Sequence, residues 1–236
     1  MPSKKKVEEM FDSIAKDYDS LNHVLSLSID KIWRRKALKI IVDAGENPRV
    51  LDVACGTGDF SIAIAKAIGK GSVVGIDISK EMLEVMRQKV LKNKLESVIS
   101  EQIGDGEDLS FPDGSFDRVV NAFGIRNFEN RDKGLREALR VLKPGGRLVI
   151  LELSRPENRA IRWFYDLYFL RILPIIGGKV SGDKAAYAYL PASVKAFPGK
   201  KEFMEQMRQA GFTNVTHKAF TFGICRMYCG GKNNLE

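Results

Sequence analysis

Apolar side chains near the start of the chain recur at helical spacing, at Val7, Met10, Phe11 and Ile14. This period is typical of an amphipathic helix, which we place over about Lys4–Ala15. A second segment of the same kind covers Ile29–Val42. We expect a loop between the two helices, so that residues 1–45 form a helical cap before the next pattern begins.

From residue 46 onward, short apolar runs rich in β-branched residues alternate with helical patterns. The runs predict strands at Arg49–Ala54, Ser72–Ile76, Ser97–Ile103, Phe116–Ala122 and Arg147–Leu153. Helices are predicted over Phe60–Ile68, from the N-cap Ser79 to about Lys94, and from about Arg131 to Leu142. Lys143-Pro-Gly-Gly is expected to end the last helix. Such alternation builds a parallel sheet that binds ligands beyond the carboxyl ends of its strands.

The alternation stops after residue 154. We interpret residues 155–200 as an insertion that forms a substrate-binding or lid segment. Residues 201–236 then predict a helix followed by a hairpin of Asn214–Phe220 and Phe222–Tyr228. The sequence therefore predicts a single domain of Rossmann-like α/β fold, with 46–154 as its cofactor-binding core. Its seven-stranded sheet is expected to be mostly parallel, with a C-terminal antiparallel hairpin strand.

The chain is basic, with 38 Lys and Arg against 30 Asp and Glu. Residues 48–154 are balanced in charge and 155–201 are strongly basic, so we expect no nucleic-acid partner for the core. Three cysteines without CxxC spacing and two histidines indicate neither a disulfide framework nor a metal site. Because no signal peptide and no apolar run of about 20 residues is present, we expect a cytoplasmic protein.

The segment Leu51–Asp59 places the end of a predicted strand against Gly56-Thr57-Gly58 and the start of a helix. Glycines let the backbone turn sharply and approach a ligand closely. A dinucleotide fold adds a third glycine, which is Ser61 in this chain. The carboxylates of Asp52 and Asp59 would repel a pyrophosphate and attract an ammonium group. The loop therefore favours the methionine end of S-adenosyl-L-methionine over a dinucleotide.

Two more acidic residues follow predicted strands. Asp77 comes about 20 residues after the glycines, where a carboxylate binds both ribose hydroxyls. Asp105 and Gly106 follow the third strand, close to the expected place of the adenine. A βαβ unit with a random acidic turn is the alternative, which the coincidence of loop, spacing and second acid disfavours.

Four stretches resemble segments of one known family: Tyr18–Trp33, Phe123–Asn127, Arg140–Ser154 and Tyr187–Pro198. The family is that of the menaquinone/ubiquinone C-methyltransferases, and the similarity extends from about Val7 to Tyr228. The resemblance implies a class I S-adenosylmethionine-dependent methyltransferase that acts on a reduced quinone with a polyprenyl tail. Asp30 stands where the family usually has histidine, and Ala122 stands where it commonly has serine.

The resemblance also implies roles for individual residues. The expected cofactor-binding set is Asp52, Gly56, Thr57, Gly58, Asp77, Ile78, Asp105, Gly106, Asn121 and Phe123. Arg126, Asn127 and Tyr18 are expected at the substrate. Methylation of a ring carbon requires a developing phenolate to be stabilised, and Arg126 keeps its proton, so we assign it to polarising that oxygen or a water. The alternatives are an ion pair for Arg126 and ordinary packing for Tyr18.

Other partners and functions stay open on sequence alone. The apolar stretch Trp163–Ile176, with Arg159, Arg162 and Arg171, is consistent with a peripheral membrane contact, a buried helix or a homodimer contact. We expect menaquinone chemistry, since no organelle-targeting segment is seen; a ubiquinone precursor, 2-polyprenyl-6-methoxy-benzoquinol, is the alternative substrate. A nucleic-acid or other small-molecule methyltransferase, a dehydrogenase and a non-enzymatic S-adenosylmethionine sensor are the remaining alternatives.

Overall fold

The computed structural model describes residues 3–26, 28–168 and 184–234. Its helices are α1 (Lys4–Ile14), α2 (Tyr18–Leu25), α3 (Ile29–Ile41), α4 (Asp59–Ile68), α5 (Lys80–Asn93), α6 (Arg131–Val141), α7 (Arg159–Leu167), α8 (Lys184–Ala196) and α9 (Lys200–Gln209). The strands are β1 (Arg49–Val53), β2 (Ser72–Asp77), β3 (Ile99–Ile103), β4 (Phe116–Ala122), β5 (Leu142–Leu153), β6 (Thr213–Phe220) and β7 (Cys225–Gly231). Short 3-10 turns cover Ile125–Asn127 and Thr221–Gly223.

The strands form one seven-stranded sheet in the order β3-β2-β1-β4-β5-β7-β6. The first five run parallel, with Leu51 of β1 opposite Val74 of β2 and Val119 of β4. β7 lies between β5 and β6 and is antiparallel to both, with Ile150 opposite Tyr228. The predicted mostly parallel sheet with an antiparallel hairpin strand is thus confirmed.

Helices cover the sheet on both faces because successive side chains of its buried strands point to opposite sides. Val50 packs with Trp33 of α3 and Met86 of α5, and all three are buried. Leu51, the next residue, packs on the opposite face in a cluster with Leu135 of α6 and Phe203 of α9. The strand order changes direction between β1 and β4. In parallel sheets of this kind, ligands bind beyond the carboxyl ends of the strands at that point.

Three predicted boundaries were wrong. The second strand of the hairpin, predicted over Phe222–Tyr228, runs from Cys225 to Gly231, because Thr221–Gly223 forms a 3-10 turn. The segment between α1 and α3 is not a loop throughout, since α2 occupies Tyr18–Leu25, and two turns are too short to show a clear period. The helix before Lys143-Pro-Gly-Gly ends at Val141, close to the predicted place, but the strand predicted over Arg147–Leu153 already begins at Leu142. Gly145 and Gly146 exchange backbone hydrogen bonds with Lys232, at 3.1 and 2.9 Å, so this segment is paired with the C-terminal residues.

The insertion contributes α7 and α8, which flank the undescribed residues 169–183. Most of the apolar stretch singled out from the sequence, including Phe169–Ile176 and Arg171, therefore lies outside the described residues. Within the described ranges, no helix has the length and apolarity to cross a bilayer.

Candidate functional site

A cleft with about 690 Å³ of empty space, adjoining open solvent included, lies at the carboxyl ends of the central strands. The strand ends and the loops after them supply Ala54, Gly56, Asp77, Ile78, Gly104, Asp105, Gly106, Ala122, Phe123, Asn127 and Phe128. The N-terminal segment supplies Lys4, Val7, Phe11 and Tyr18. Six of the expected cofactor-binding residues are thus brought together, along with two of the three expected at the substrate.

The glycine loop after β1 keeps its backbone open to the cleft. Gly56 has a φ of +56°, and a Cβ at this position would lie 3.8 Å from Cε1 of Tyr18. Ala54 also adopts a left-handed φ of +54°, which L-residues rarely do. A side chain at Gly56 would therefore occupy the space between the loop and Tyr18 that a ligand needs.

Asp77, at the end of β2, is held with its carboxylate at the cleft. Its Oδ2 accepts the backbone N–H of Gly56 at 2.8 Å, and its Oδ1 accepts that of Ser79 at 2.9 Å. Burial raises the pKa of Asp77, and these backbone donors oppose the rise. Since an ionised carboxylate offers about four acceptor positions, two backbone bonds leave capacity for a pair of hydroxyl groups.

Asp105 lines the cleft beside the end of β3 and forms an ion pair with Lys4 of α1. Its other oxygen accepts the backbone N–H of Glu107 at 2.9 Å. The hydrogen bond to Asp105 raises the pKa of Lys4. The predicted adenine-side acid is therefore also an anchor for the N-terminal helix.

Helix α1 covers part of the cleft, and the contacts it makes there were not predicted from the sequence, which gave residues 1–45 only as a helical cap. Val7 and Phe11 line the cleft, and the Phe11 ring meets the Tyr18 ring edge-on at 6.0 Å between centroids. The Asp12 carboxylate accepts the hydroxyl of Ser79, which caps α5. The spacing of apolar residues predicted an apolar face on α1. It did not show that this face packs over the cofactor loops.

Four of the expected cofactor-binding residues do not line the cleft. Asp52 is 1% exposed, lies beneath the loop and accepts the Ser61 hydroxyl at 2.6 Å. Burial raises the pKa of Asp52 to about 7. Thr57 is buried and donates its hydroxyl to the Asp19 carboxylate.

The other two, Gly58 and Asn121, serve packing and loop geometry. A Cβ at Gly58 would overlap Met86, so this glycine lets α5 approach the loop. The Asn121 amide donates to the carbonyl of Val53 at 2.8 Å and accepts the N–H of Ile125 at 2.8 Å. It thereby fixes the turn that leads into Arg126.

Asp59 does not offer its charge to a ligand as the sequence suggested. One oxygen pairs with Lys89, and the other lies 3.3 Å from the guanidinium of Arg34. Lys89 also contacts Asp19 of α2 at 2.6 Å. The carboxylate of Asp59 thus ties the cap to the cofactor loop instead of attracting an ammonium group.

Arg126 lies behind the cleft wall, with 5% of its surface exposed. Its Nη1 donates to Oε1 of Glu152 at 2.9 Å, and its backbone N–H donates to Oε2 at 3.1 Å. Burial acts to lower the pKa of Arg126, but the Glu152 carboxylate outweighs it and the pKa is raised. The guanidinium is therefore a permanent cation, paired with a buried carboxylate behind the cleft wall.

Glu152 is a residue that sequence reasoning missed. It lies within the family-like stretch Arg140–Ser154, but only the folded sheet shows that it is 0% exposed and paired with Arg126. Tyr18 lies near the same arginine: burial raises the pKa of its phenol, and the Arg126 charge acts to lower it. Asn127 lines the cleft beside them.

The cleft fits S-adenosylmethionine. The Gly56 loop leaves room for the amino-acid end, Asp77 can bind the ribose, and the Gly104–Gly106 turn with Phe128 borders an apolar place for the adenine. When bound there, this group supplies an electrophilic methyl. Gly56, Asp77, Ile78, Asp105, Gly106 and Phe123 are the residues placed to hold it.

Solved structures share this fold. The cyclase SpnF superposes with a TM-score of 0.71 at 18% identity, covering 99% of this chain and 98% of that one. A SAM-dependent methyltransferase from Aquifex aeolicus gives a TM-score of 0.59 at 21% identity, covering 83% and 88%. This chain therefore has the fold of the class I S-adenosylmethionine-dependent methyltransferases.

Sequence comparison narrows the class. The model of the ubiE/COQ5 methyltransferase family matches residues 2–232. A ubiquinone/menaquinone biosynthesis C-methyltransferase of Geotalea daltonii is 48% identical, over 96% of both chains. Demethylmenaquinone methyltransferases of Bacteroides fragilis and Deinococcus radiodurans are 45% and 46% identical, over 96% of this chain and 92% of theirs. This chain belongs to the ubiE/COQ5 methyltransferase family.

Proposed function

We propose that this protein transfers a methyl group from S-adenosylmethionine to a ring carbon of demethylmenaquinol, forming menaquinol in the final step of menaquinone biosynthesis. The observation that carries the proposal is the 45–46% identity, over 96% of the chain, to relatives named demethylmenaquinone methyltransferase. The family assignment over residues 2–232 supports it.

The shape of the cleft supports an aromatic substrate with few polar groups. Apart from the residues assigned to S-adenosylmethionine, Phe11 and Ala122 line it with apolar groups, and Tyr18 and Asn127 add polar ones. A flat ring carrying two hydroxyl groups matches this mixture, since apolar pockets with a few fixed polar groups orient such ligands.

The charges around the cleft support carbon methylation of a quinol. A ring carbon becomes nucleophilic as a hydroxyl proton leaves, so the oxygen gains negative charge. Arg126 keeps its proton, because its pKa is raised, and its charge stabilises that oxygen. Asn127 and Tyr18, at the cleft surface, are the candidates to donate hydrogen bonds to it. Tyr18 and Asn127 act on the oxygen directly, Arg126 acts through its charge from behind the cleft wall, and a water accepts the proton.

A ubiquinone precursor, 2-polyprenyl-6-methoxy-benzoquinol, is the second candidate substrate. The observation in its favour is the Geotalea daltonii relative, 48% identical, whose name includes both quinones. The smaller benzenoid ring presents the same hydroxyl and ring-carbon chemistry to Asn127 and Tyr18.

We also propose a peripheral contact with the inner face of an anionic membrane, through which the polyprenyl tail arrives. Trp163 and Phe164 of α7 are 62% and 65% exposed and stack edge-on at 4.9 Å. Phe222 is 77% exposed in the turn before β7, and the neighbouring Gly223 carbonyl accepts the Ser154 hydroxyl at 2.6 Å. Phe222 therefore lies near the carboxyl end of β5, and Trp163 and Phe164 lie on α7, which follows that strand along the chain.

The proposed activity is tested by incubating the purified protein with S-adenosylmethionine and either reduced demethylmenaquinone or the reduced benzoquinone precursor, with products identified by mass spectrometry. We expect menaquinol from the first. Turnover of the precursor alone would assign the second substrate, and no product from either would contradict the proposal.

A further inference from the structure

Helix α8 of the insertion touches the substrate side of the site through Tyr189. The Tyr189 hydroxyl donates to Oδ1 of Asn127 at 2.9 Å. An asparagine amide has one acceptor end and one donor end. With the oxygen bound to Tyr189, the donor end of Asn127 is the one left for the cleft that this residue lines. The hydrogen bond therefore selects which half of the amide meets a ligand.

The same helix supports Arg126 through Ser193. The Ser193 hydroxyl donates to the Leu190 carbonyl at 2.9 Å, so its oxygen is free to accept, and it accepts Nε–H of Arg126 at 3.3 Å. Ser193 is 7% exposed, so this contact is shielded from water. Together with Glu152 on β5, Ser193 fixes the guanidinium from two sides.

The two contacts form one geometrical unit. Tyr189 and Ser193 are four residues apart on α8, so they lie on one face of the helix, a turn apart. Their partners, Asn127 and Arg126, are consecutive residues of the 3-10 turn after β4. One helix face thus engages both polar residues assigned to the substrate oxygen.

We propose that Tyr189 and Ser193 are positioning residues that make α8 a part of the catalytic site: Tyr189 turns the donor end of the Asn127 amide toward the cleft, and Ser193 holds the Arg126 guanidinium directly behind it. This inference rests on the proposed function, because it takes Asn127 and Arg126 as the groups that stabilise the quinol oxygen. It gives the insertion a role in the methyl-transfer step in addition to any role in binding the polyprenyl tail.

The first test compares Tyr189→Phe with the wild-type protein in methyl transfer to reduced demethylmenaquinone. Because misplacing a reacting group by about 1 Å can cost a hundredfold in rate, we expect kcat to fall by about tenfold. KM for the quinol and the Kd for S-adenosylhomocysteine should change by less than about twofold, because neither depends on a group that acts mainly in the transition state. Ser193→Ala should behave in the same way.

A double-mutant cycle separates positioning from general support of the fold. In an Asn127→Ala background the amide is gone, so Tyr189→Phe should change kcat by less than about twofold. A purely structural tyrosine would cost the same in both backgrounds. Tyr228→Phe is the matched control, since it removes a buried hydroxyl that has no hydrogen-bond partner among the described residues, and it should leave kcat unchanged.

A spectroscopic readout keeps the inference testable if the quinol is not the substrate. The side-chain amide resonance of Asn127, assigned from its loss in Asn127→Asp, should shift in Tyr189→Phe and stay in place in Tyr228→Phe. No turnover by the wild-type protein would contradict the proposed function alone. Full kcat in Tyr189→Phe, equal losses in both backgrounds, or an unshifted amide resonance would each overturn the positioning role.

Discussion

Asp52 and Asp77 both end a parallel strand of the same sheet, and both are buried, but their surroundings separate them. Asp77 points to the cleft and is held by two backbone N–H groups. Asp52 points beneath the glycine loop, where the Ser61 hydroxyl is its hydrogen-bond partner. Both carboxyl groups have raised pKa values through burial. Asp77 is therefore suited to bind ligand, whereas Asp52 supports the loop that does so.

Asp77→Ala should weaken the binding of S-adenosylhomocysteine by about tenfold to a hundredfold. The reason is the loss of at least one hydrogen bond to a charged group, worth about 1.5–3 kcal/mol. Isothermal titration calorimetry measures the change directly. Asp113→Ala, which removes a carboxylate that is 77% exposed, should bind as the wild type does, and an unchanged Kd in Asp77→Ala would contradict the ribose assignment.

Asp52 should make the protein less stable as the pH rises. An unfolded aspartate titrates near about 3.9, whereas the pKa of Asp52 in the folded protein is raised to about 7. Between these values the folded protein keeps a proton that the unfolded chain has lost, so the free energy of unfolding falls with increasing pH. Asp52→Asn removes this contribution.

Urea unfolding of Asp52→Asn and wild type at about pH 5 and about pH 8 tests the shift. The difference in unfolding free energy should move in favour of the variant at the higher pH, by on the order of a few kcal/mol. Asp17→Asn changes an exposed carboxylate and should leave the difference independent of pH. A constant difference for Asp52→Asn would show that Asp52 titrates normally.

At the residue scale, the sequence identifies residues whose role follows from a position at or just after the end of a strand. Gly56, Asp77 and Asp105 were found in this way, because strand ends of a parallel sheet converge. Glu152 was missed because its role depends on Arg126, which is brought beside it only by the pairing of β4 and β5. The role of Tyr189 was missed because it depends on Asn127, which only the packing of α8 brings beside it.

Helix α1 is the element that changes the site most. It places Lys4, Val7 and Phe11 over a cleft otherwise built from strand ends. Its polar contacts include the Lys4–Asp105 ion pair and the hydrogen bond from the Ser79 hydroxyl to Asp12. Because it lies across the cleft, α1 must retain a bound ligand and slow its release.

Asp12→Ala should speed the dissociation of S-adenosylhomocysteine, by up to about tenfold, because a hydrogen bond to a charged group is lost from the cover. Stopped-flow displacement measures the rate. Lys5→Ala is the matched control on the same helix, since the Lys5 side chain is 84% exposed. Equal rates in Asp12→Ala and wild type would mean that α1 does not limit release.

Elements were predicted well where apolar periodicity is strong. The buried strands β1, β2 and β4 and helix α5 have nearly their expected bounds, since each is long enough to show its period. The two-turn helix α2 has no such period, and the early start of β5 depends on backbone pairing with Lys232. The contacts of α1 and α8 depend on tertiary packing, which local sequence does not encode.

For the whole molecule, we propose that the cleft and the exposed aromatic residues face the same membrane surface. The cleft lies at the carboxyl ends of β1, β2 and β4, and Phe222 lies near the same end of β5. Trp163 and Phe164 follow that end along the chain. A chain with a net charge of +8 is attracted to an anionic surface, which would bring these residues to the membrane that holds a polyprenyl substrate.

Vesicle flotation tests this orientation. Wild-type protein should float with vesicles containing anionic lipid and bind neutral ones less, because basic side chains near headgroups contribute about 1 kcal/mol each. The double variant Trp163→Ser/Phe164→Ser should lose binding. Leu91→Ser is the control, as Leu91 is 54% exposed at the far end of α5. Equal, negligible binding to both vesicles would end the membrane proposal, and a dimer disrupted by the double variant would reassign the aromatic pair.

The central claim is that a permanent cation, Arg126, stabilises the oxygen of a reduced quinone while its ring carbon takes a methyl group. The most direct measurement is transfer of labelled methyl from S-adenosylmethionine to reduced and to oxidised demethylmenaquinone, by wild type and by Arg126→Ala. We predict transfer to the reduced form only, and a loss of at least about a hundredfold in Arg126→Ala with the affinity for S-adenosylhomocysteine retained. Equal methylation of both forms, or full activity in Arg126→Ala, would contradict the account.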